Sequence, residues 1–120
     1  MPVTFGLTAA QWLTGLLDAR DAVRDLRDRL PVQCGGAAGT LSLVSDLTAD
    51  PVATAHAFAA ELGLRWPGLP WHTRRRSITD IGDALVGVCD ALGVVATDVG
   101  VLGRPEIGEV REGSSPGRGG

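Results

Sequence analysis

Along the first thirty positions, apolar and small residues recur as Ala9, Trp12, Leu16, Ala19, Val23, Leu26 and Leu30, with gaps of three and four in strict alternation. A spacing that averages 3.5 residues holds one stripe on one side of a long helix, the pattern of helices that pack side by side in bundles. The spacing predicts a helix from about Thr8, read as its N-cap, to about Leu30, where Pro31 ends it. A second alternation of the same kind runs through Ile78, Ile81, Leu85, Val88, Leu92, Val95, Val99 and Leu102 and predicts a helix from about Arg74 to Gly103. Ser77-Ile78-Thr79-Asp80 reads as a capping box near its start. The two stripes predict helices lying antiparallel at a crossing angle of roughly 20°, with no sheet in the chain.

Between the stripes the punctuation changes. Asp50-Pro51 reads as an N-cap followed by proline at the first helical position, opening a short helix that stops at Gly63. The stretch from Arg65 to Arg76, rich in Trp, Pro and Gly, reads as a connector. Cys34-Gly35-Gly36-Ala37-Ala38-Gly39-Thr40 is neither a dinucleotide fingerprint nor a P-loop. Its small residues suit close approach of backbone to a neighbouring helix or to a ligand, two readings that stay open here. Gly82, Gly87, Gly93 and Gly100 sit inside the last helix, each at a cost of roughly 1 kcal/mol relative to Ala, which tight packing on several sides would explain. The residues divide into a helical part, 1–111, and a Gly/Ser/Pro tail, 112–120, expected to be flexible.

Composition then narrows the chemistry. The formal net charge of -3 and the matched Arg and Asp residues between Asp18 and Arg29 describe a solvated helix face, not a nucleic-acid surface. All 11 cationic residues are Arg, and the absence of Lys removes Schiff-base chemistry and a P-loop lysine. Cys34 and Cys89 lack metal-ligand spacing and read as reduced thiols of a cytoplasmic protein; no metal is expected. Asp90 and Asp98 interrupt the most apolar stretch, Ala84 to Leu102, which argues for a protein core over a membrane span. His56, alone on its short helix, reads as a surface or packing residue.

Three strings go beyond a generic helical reading: Pro2-Val3-Thr4-Phe5-Gly6 leading into Gln11-Trp12-Leu13, then Gly35-Gly36-Ala37-Ala38-Gly39-Thr40, then Leu69-Pro70-Trp71-His72-Thr73-Arg74-Arg75. In order and spacing they resemble the fumarase/aspartase superfamily, most closely its 3-carboxy-cis,cis-muconate cycloisomerase branch, with adenylosuccinate lyase the relative nearest to confusion. The resemblance runs through Glu106-Ile107-Gly108-Glu109-Val110 to Pro116-Gly117-Arg118-Gly119-Gly120. It implies an all-α fold of long antiparallel helices from the central helical-bundle domain and a homotetramer in which several subunits build each site. It also implies a small carboxylate substrate, no metal and no organic cofactor. The family's reaction passes through a carbanion-like state beside a carboxylate, so it needs a proton-transfer group and donors for the developing charge. The family's upstream Thr-His pair and its GSSxMPxKxNP loop, which carries the catalytic serine, are not among these residues, so no catalytic residue is assigned and the chain alone is expected to be inactive.

By the same resemblance His72, Thr73 and Arg75 fall nearest the family's substrate, with Arg75 suited to face a carboxylate. His72 alternatively caps or packs the connector. The chain departs from the family pattern at Arg75-Arg76-Ser77, where an Arg-Asp-Arg step is usual, and at Arg104-Pro105, where Gln-Thr is usual. A helical oligomerisation module without catalysis is the competing reading.

Overall fold

The computed structural model describes residues 3–111 and 113; the tail expected at 112–120 otherwise lies outside the described residues. Four helices follow one another: α1 Phe5–Arg29, α2 Ser42–Ser45, α3 Pro51–Glu61 and α4 Arg76–Leu102. Among the described residues there is no strand, and the fold is all-α as expected.

Helix α1 begins one turn earlier than Thr8. The Thr4 hydroxyl accepts a hydrogen bond from the Leu7 amide at 3.3 Å, which makes Thr4 the cap and leaves Thr8 inside the helix. Helix α3 starts as expected, with Asp50 Oδ1 accepting the Ala53 amide at 2.9 Å. It ends by a Schellman pair: the Gly63 amide donates to Ala60 O and the Leu64 amide to Ala59 O, with Gly63 at φ +63°. The capping box expected at Ser77–Asp80 does not form. Arg75 occupies the N-cap without a side-chain cap bond, and Asp80 instead accepts from Arg76 Nε at 2.6 Å. That contact raises the Arg76 pKa further, so its guanidinium stays cationic.

The long helices pack antiparallel. Trp12, near the start of α1, donates its indole N–H to Asp98 Oδ2 at 2.8 Å near the end of α4, and Ala19 and Gly87 line one groove between the two helices. On α1 the row facing α4 is close to the expected stripe: Ala9, Trp12, Leu16 and Ala19 are half-buried and Leu26 is buried. On α4 the contact row is Ile81, Ala84, Val88, Ala91, Val95, Asp98 and Leu102, again at alternating gaps of three and four. The other half of the expected stripe, Ile78, Leu85, Leu92 and Val99, points away at 49%, 57%, 52% and 40% exposure. A helix that is apolar on more than one side offers more than one such row, and α1 covers only one of them.

The core of the single chain is correspondingly small: Leu26, Val32, Leu41, Ala55 and Ala59. The radius of gyration, 23.0 Å, far exceeds the roughly 14 Å of a compact domain of this length. Among the described residues nothing beyond the helix's own backbone lies within 4 Å of a Cβ built on Gly82, Gly87, Gly93 or Gly100, so the packing expected to explain these glycines is not found there.

Two polar clamps set the connector against the end of α1. The Val32 amide donates to Arg65 O and the Arg65 amide to Leu30 O, both at 2.9 Å, an isolated parallel bridge beside Pro31. The Trp71 indole N–H then donates to Val32 O at 2.9 Å. Together these bring residues 65–76 beside residues 30–40.

Candidate functional site

His72, Thr73 and Arg75 line one cleft of about 600 Å³, shared with Gln33, Gly36, Ala37, Trp71 and Ile78. Its two walls are the small-residue string after α1 and the connector before α4, far apart in sequence and joined by the Trp71 clamp. Of the two readings open for the string, close approach within the chain is what the structure displays, and the neighbour is the connector instead of a helix. A Cβ on Gly35 would lie 2.5 Å from Pro70 Cβ, and one on Gly39 would lie 2.5 Å from His72 Cε1 and Nδ1. Gly36 and Gly39 also have φ of +70° and +72°, the region glycine adopts without steric cost.

His72 is therefore wedged under Gly39. Its Nδ1 is buried and has no hydrogen-bond partner in the chain, a state that costs free energy unless something fills it. Packing against the connector, the alternative reading of His72, is thus realised at one side of the ring, while the residue still lines the cleft. Thr73 and Arg75 are exposed at the rim. Among the described residues Arg75 makes no ion pair. A guanidinium, a hydroxyl and an imidazole on one wall can hold a carboxylate by charge-assisted hydrogen bonds. Among the described residues His72 and Arg75 are the only ionisable residues lining the cleft.

His56 stands elsewhere, with its ring 5.5 Å from that of Trp66, a packing role as expected. Gln33, whose Oε1 accepts the Gly35 amide at 2.7 Å, and Ile78 are cleft residues that sequence reasoning missed. Gln33 belongs to no motif string, and Ile78 was read only as part of a helix stripe and a capping box. Cys34 is half-buried and Cys89 exposed, and among the described residues no group of His, Cys, Asp and Glu could hold a metal ion.

The dependence of His72 on Gly39 is testable, because His72 and His56 are the only two histidines. Gly39→Ala is expected to shift the His72 imidazole resonances and leave those of His56 in place, as read by histidine-selective NMR. Gly36→Ala carries the same backbone strain, roughly 1–2 kcal/mol, but meets no atom within 4 Å, so it is expected to destabilise without moving His72.

Comparison with known proteins places this architecture. The chain is 42% identical over 99% of its length to a nitrosuccinate lyase of Streptomyces davaonensis. It is 44% identical over 99% to a 3-carboxy-cis,cis-muconate cycloisomerase of Pseudomonas aeruginosa, and 39% over 100% to one of Bradyrhizobium diazoefficiens. In each case it spans about a quarter of the relative's length, 26%. No family model and no solved structure matches the chain. The chain belongs to the fumarase/aspartase superfamily of lyases and cycloisomerases.

Proposed function

We propose that this segment supplies the helical scaffold and one carboxylate-holding wall of a cofactor-free enzyme of the 3-carboxy-cis,cis-muconate cycloisomerase type, working in the cytoplasm as a homo-oligomer. The observation that carries the reading is the cleft itself: His72, Thr73 and Arg75, three residues assigned from the family resemblance, form the wall that faces the small-residue string. In the proposed reaction the substrate's own carboxylate closes onto its double bond. Arg75 and Thr73 hold a second carboxylate, and a proton-transfer group and serine loop outside these residues complete the site.

The apolar faces left over support the oligomer. Leu13 and Leu17 on α1 and Leu85, Val86, Leu92 and Val94 on α4 are exposed at 37% to 67%, more contiguous apolar surface than soluble monomers usually leave. By length and composition α4 could also cross a membrane. We assign it to a protein core because its Asp98 takes the Trp12 bond and one of its rows already packs on α1.

A second reading, β-elimination from a substituted succinate, draws on the 42% identity to a protein named nitrosuccinate lyase. The experiment supplies 3-carboxy-cis,cis-muconate and nitrosuccinate separately, following the loss of substrate absorbance. The 120 residues alone are expected to turn over neither. With the upstream pair and the serine loop supplied, cyclisation of the muconate is expected. Turnover of nitrosuccinate alone would replace the first reading by the second, and turnover of neither would favour an oligomerisation module.

A further inference from the structure

On the opposite side of Trp71 from the His72 cleft lies a second, smaller hollow of about 220 Å³, lined by Arg65, Arg74 and Arg76 with Ser77 at its edge and Pro31 and Trp71 beneath. Successive arginines of the connector thus alternate between the two hollows: Arg75 lines the first, Arg74 and Arg76 the second. Between Glu61 and Asp80 the chain has four arginines and no acid, in a protein whose net charge is -3. Among the described residues Arg65 and Arg74 have no ion-pair partner while Arg76 is paired with Asp80, and guanidiniums lining one small hollow repel one another unless an anion sits among them.

The hollow is fixed in shape by the two clamps already described. The bridge at Pro31 holds Arg65 in place, and the Trp71 bond to Val32 O holds the segment that leads to Arg74. Donors remain on every arginine. Arg65 uses Nε toward Arg29 O at 3.4 Å, and Arg76 uses Nε toward Asp80, which leaves the terminal nitrogens of both. Among the described residues the Arg74 side chain makes no hydrogen bond or ion pair within the chain. The hollow, about 220 Å³ and open to solvent, has room for a tetrahedral oxyanion. The ring of Trp71 and Pro31 form an apolar floor that weakens screening of the charges above it.

We propose that this hollow is a binding site for a compact dianionic oxyanion, inorganic phosphate or the phosphoryl group of a small phosphomonoester, separate from the carboxylate-holding cleft. Arginines lining one small hollow suit a single tetrahedral dianion better than a dicarboxylate, whose two charges are spread along a carbon chain. The assignment does not depend on the muconate reading, since its readout is anion binding and none of its arginines lines the His72 cleft.

The test is calorimetric titration of the full chain with phosphate, glycerol phosphate and succinate, at constant ionic strength set by sodium chloride. Saturable phosphate binding in the millimolar range is expected, with succinate at least tenfold weaker. If glycerol phosphate binds as tightly as phosphate, the site takes a phosphoryl group with its ester substituent in solvent; if it binds more weakly, free phosphate is the ligand. Arg74→Ala and Arg65→Ala are each expected to weaken phosphate binding about tenfold, the size of one charge-assisted hydrogen bond lost. Arg75→Ala is expected to leave it unchanged. Circular dichroism of each variant confirms that its helices are retained, and Arg74→Gln, which keeps the length and loses the charge, repeats the test where alanine disturbs the fold. Succinate binding as tight as phosphate that persists in Arg75→Ala and is weakened by Arg74→Ala, phosphate binding lost with Arg75→Ala but not with Arg74→Ala, or no saturable phosphate binding would each overturn the proposal.

Discussion

If the proposed homo-oligomer forms through α4, glutamate at both Leu85 and Leu92 is expected to convert it to monomer while leaving α4 helical. The two leucines lie seven residues apart on the row that α1 does not cover, exposed at 57% and 52% in the single chain. Both substitutions keep helix propensity, and neither side chain touches the α1 seam. What they change is the cost of covering that row with a second copy. A buried leucine contributes about 2 kcal/mol, so losing two removes about 4 kcal/mol per chain, roughly a thousandfold in the association constant, before any cost of burying a charge. Sedimentation equilibrium at micromolar concentration reads the shift. The glycines of α4 give an independent check. Where nothing lies near Gly87 and Gly93 in the chain, alanine should add roughly 1 kcal/mol each to the helix. If a partner helix approaches there, alanine should instead weaken assembly. An oligomer untouched by the glutamates would mean that this row faces something other than a second copy.

How far the fold was legible depended on whether one element's signal was local. Asp50-Pro51 and Gly63 fix the ends of α3 through bonds within a few residues, and the structure reproduces both. The start of α4 was read less well, because Asp80 had two local partners on offer and pairs with Arg76, a charged contact, in place of capping a backbone amide. The α4 stripe shows a deeper limit. Ile78, Leu85, Leu92 and Val99 form a valid row together with Ile81, Val88, Val95 and Leu102, yet Ala84, Ala91 and Asp98 take the places beside α1. Periodicity states that a helix is apolar on a side, and on a helix apolar nearly all round it does not say which neighbour covers which side. Trp12 decides the matter through its bond to Asp98, a polar contact between residues 86 apart that no hydrophobic pattern carries.

The cleft was legible only through resemblance. His72, Thr73 and Arg75 are close in sequence, but the opposite wall comes from Gly36 and Ala37, and the contact that closes the cleft, Gly39 under His72, depends on a glycine that sequence reading noticed without assigning it a neighbour. Trp71 was quoted for its place in a string, and its structural role as the clamp to Val32 O follows from an indole donor reaching a carbonyl just past the end of α1.

The departure at Arg76 bears most directly on function, and a chimera tests it. Residues 3–111 replace the matching quarter of the Pseudomonas aeruginosa cycloisomerase, to which the chain is 44% identical. On the proposed reading the chimera assembles and retains measurable cyclisation, because Arg76, where the family usually has an acid, is neutralised by Asp80 at 2.6 Å and faces away from the His72 wall. Arg75→Ala in that background removes the one cation lining the cleft. A charge-assisted bond to a carboxylate is worth about 1.5–3 kcal/mol, so kcat/KM is expected to fall by roughly 10- to 150-fold. Arg75→Lys keeps the charge but loses the planar pair of donors and should recover only part of the loss. Arg76→Asp is expected to cost stability instead, since it sets two acids at i,i+4 spacing with Asp80. An Arg75→Ala chimera with unchanged kcat/KM would remove Arg75 from the substrate wall, and with it the carboxylate-holding role proposed for this segment.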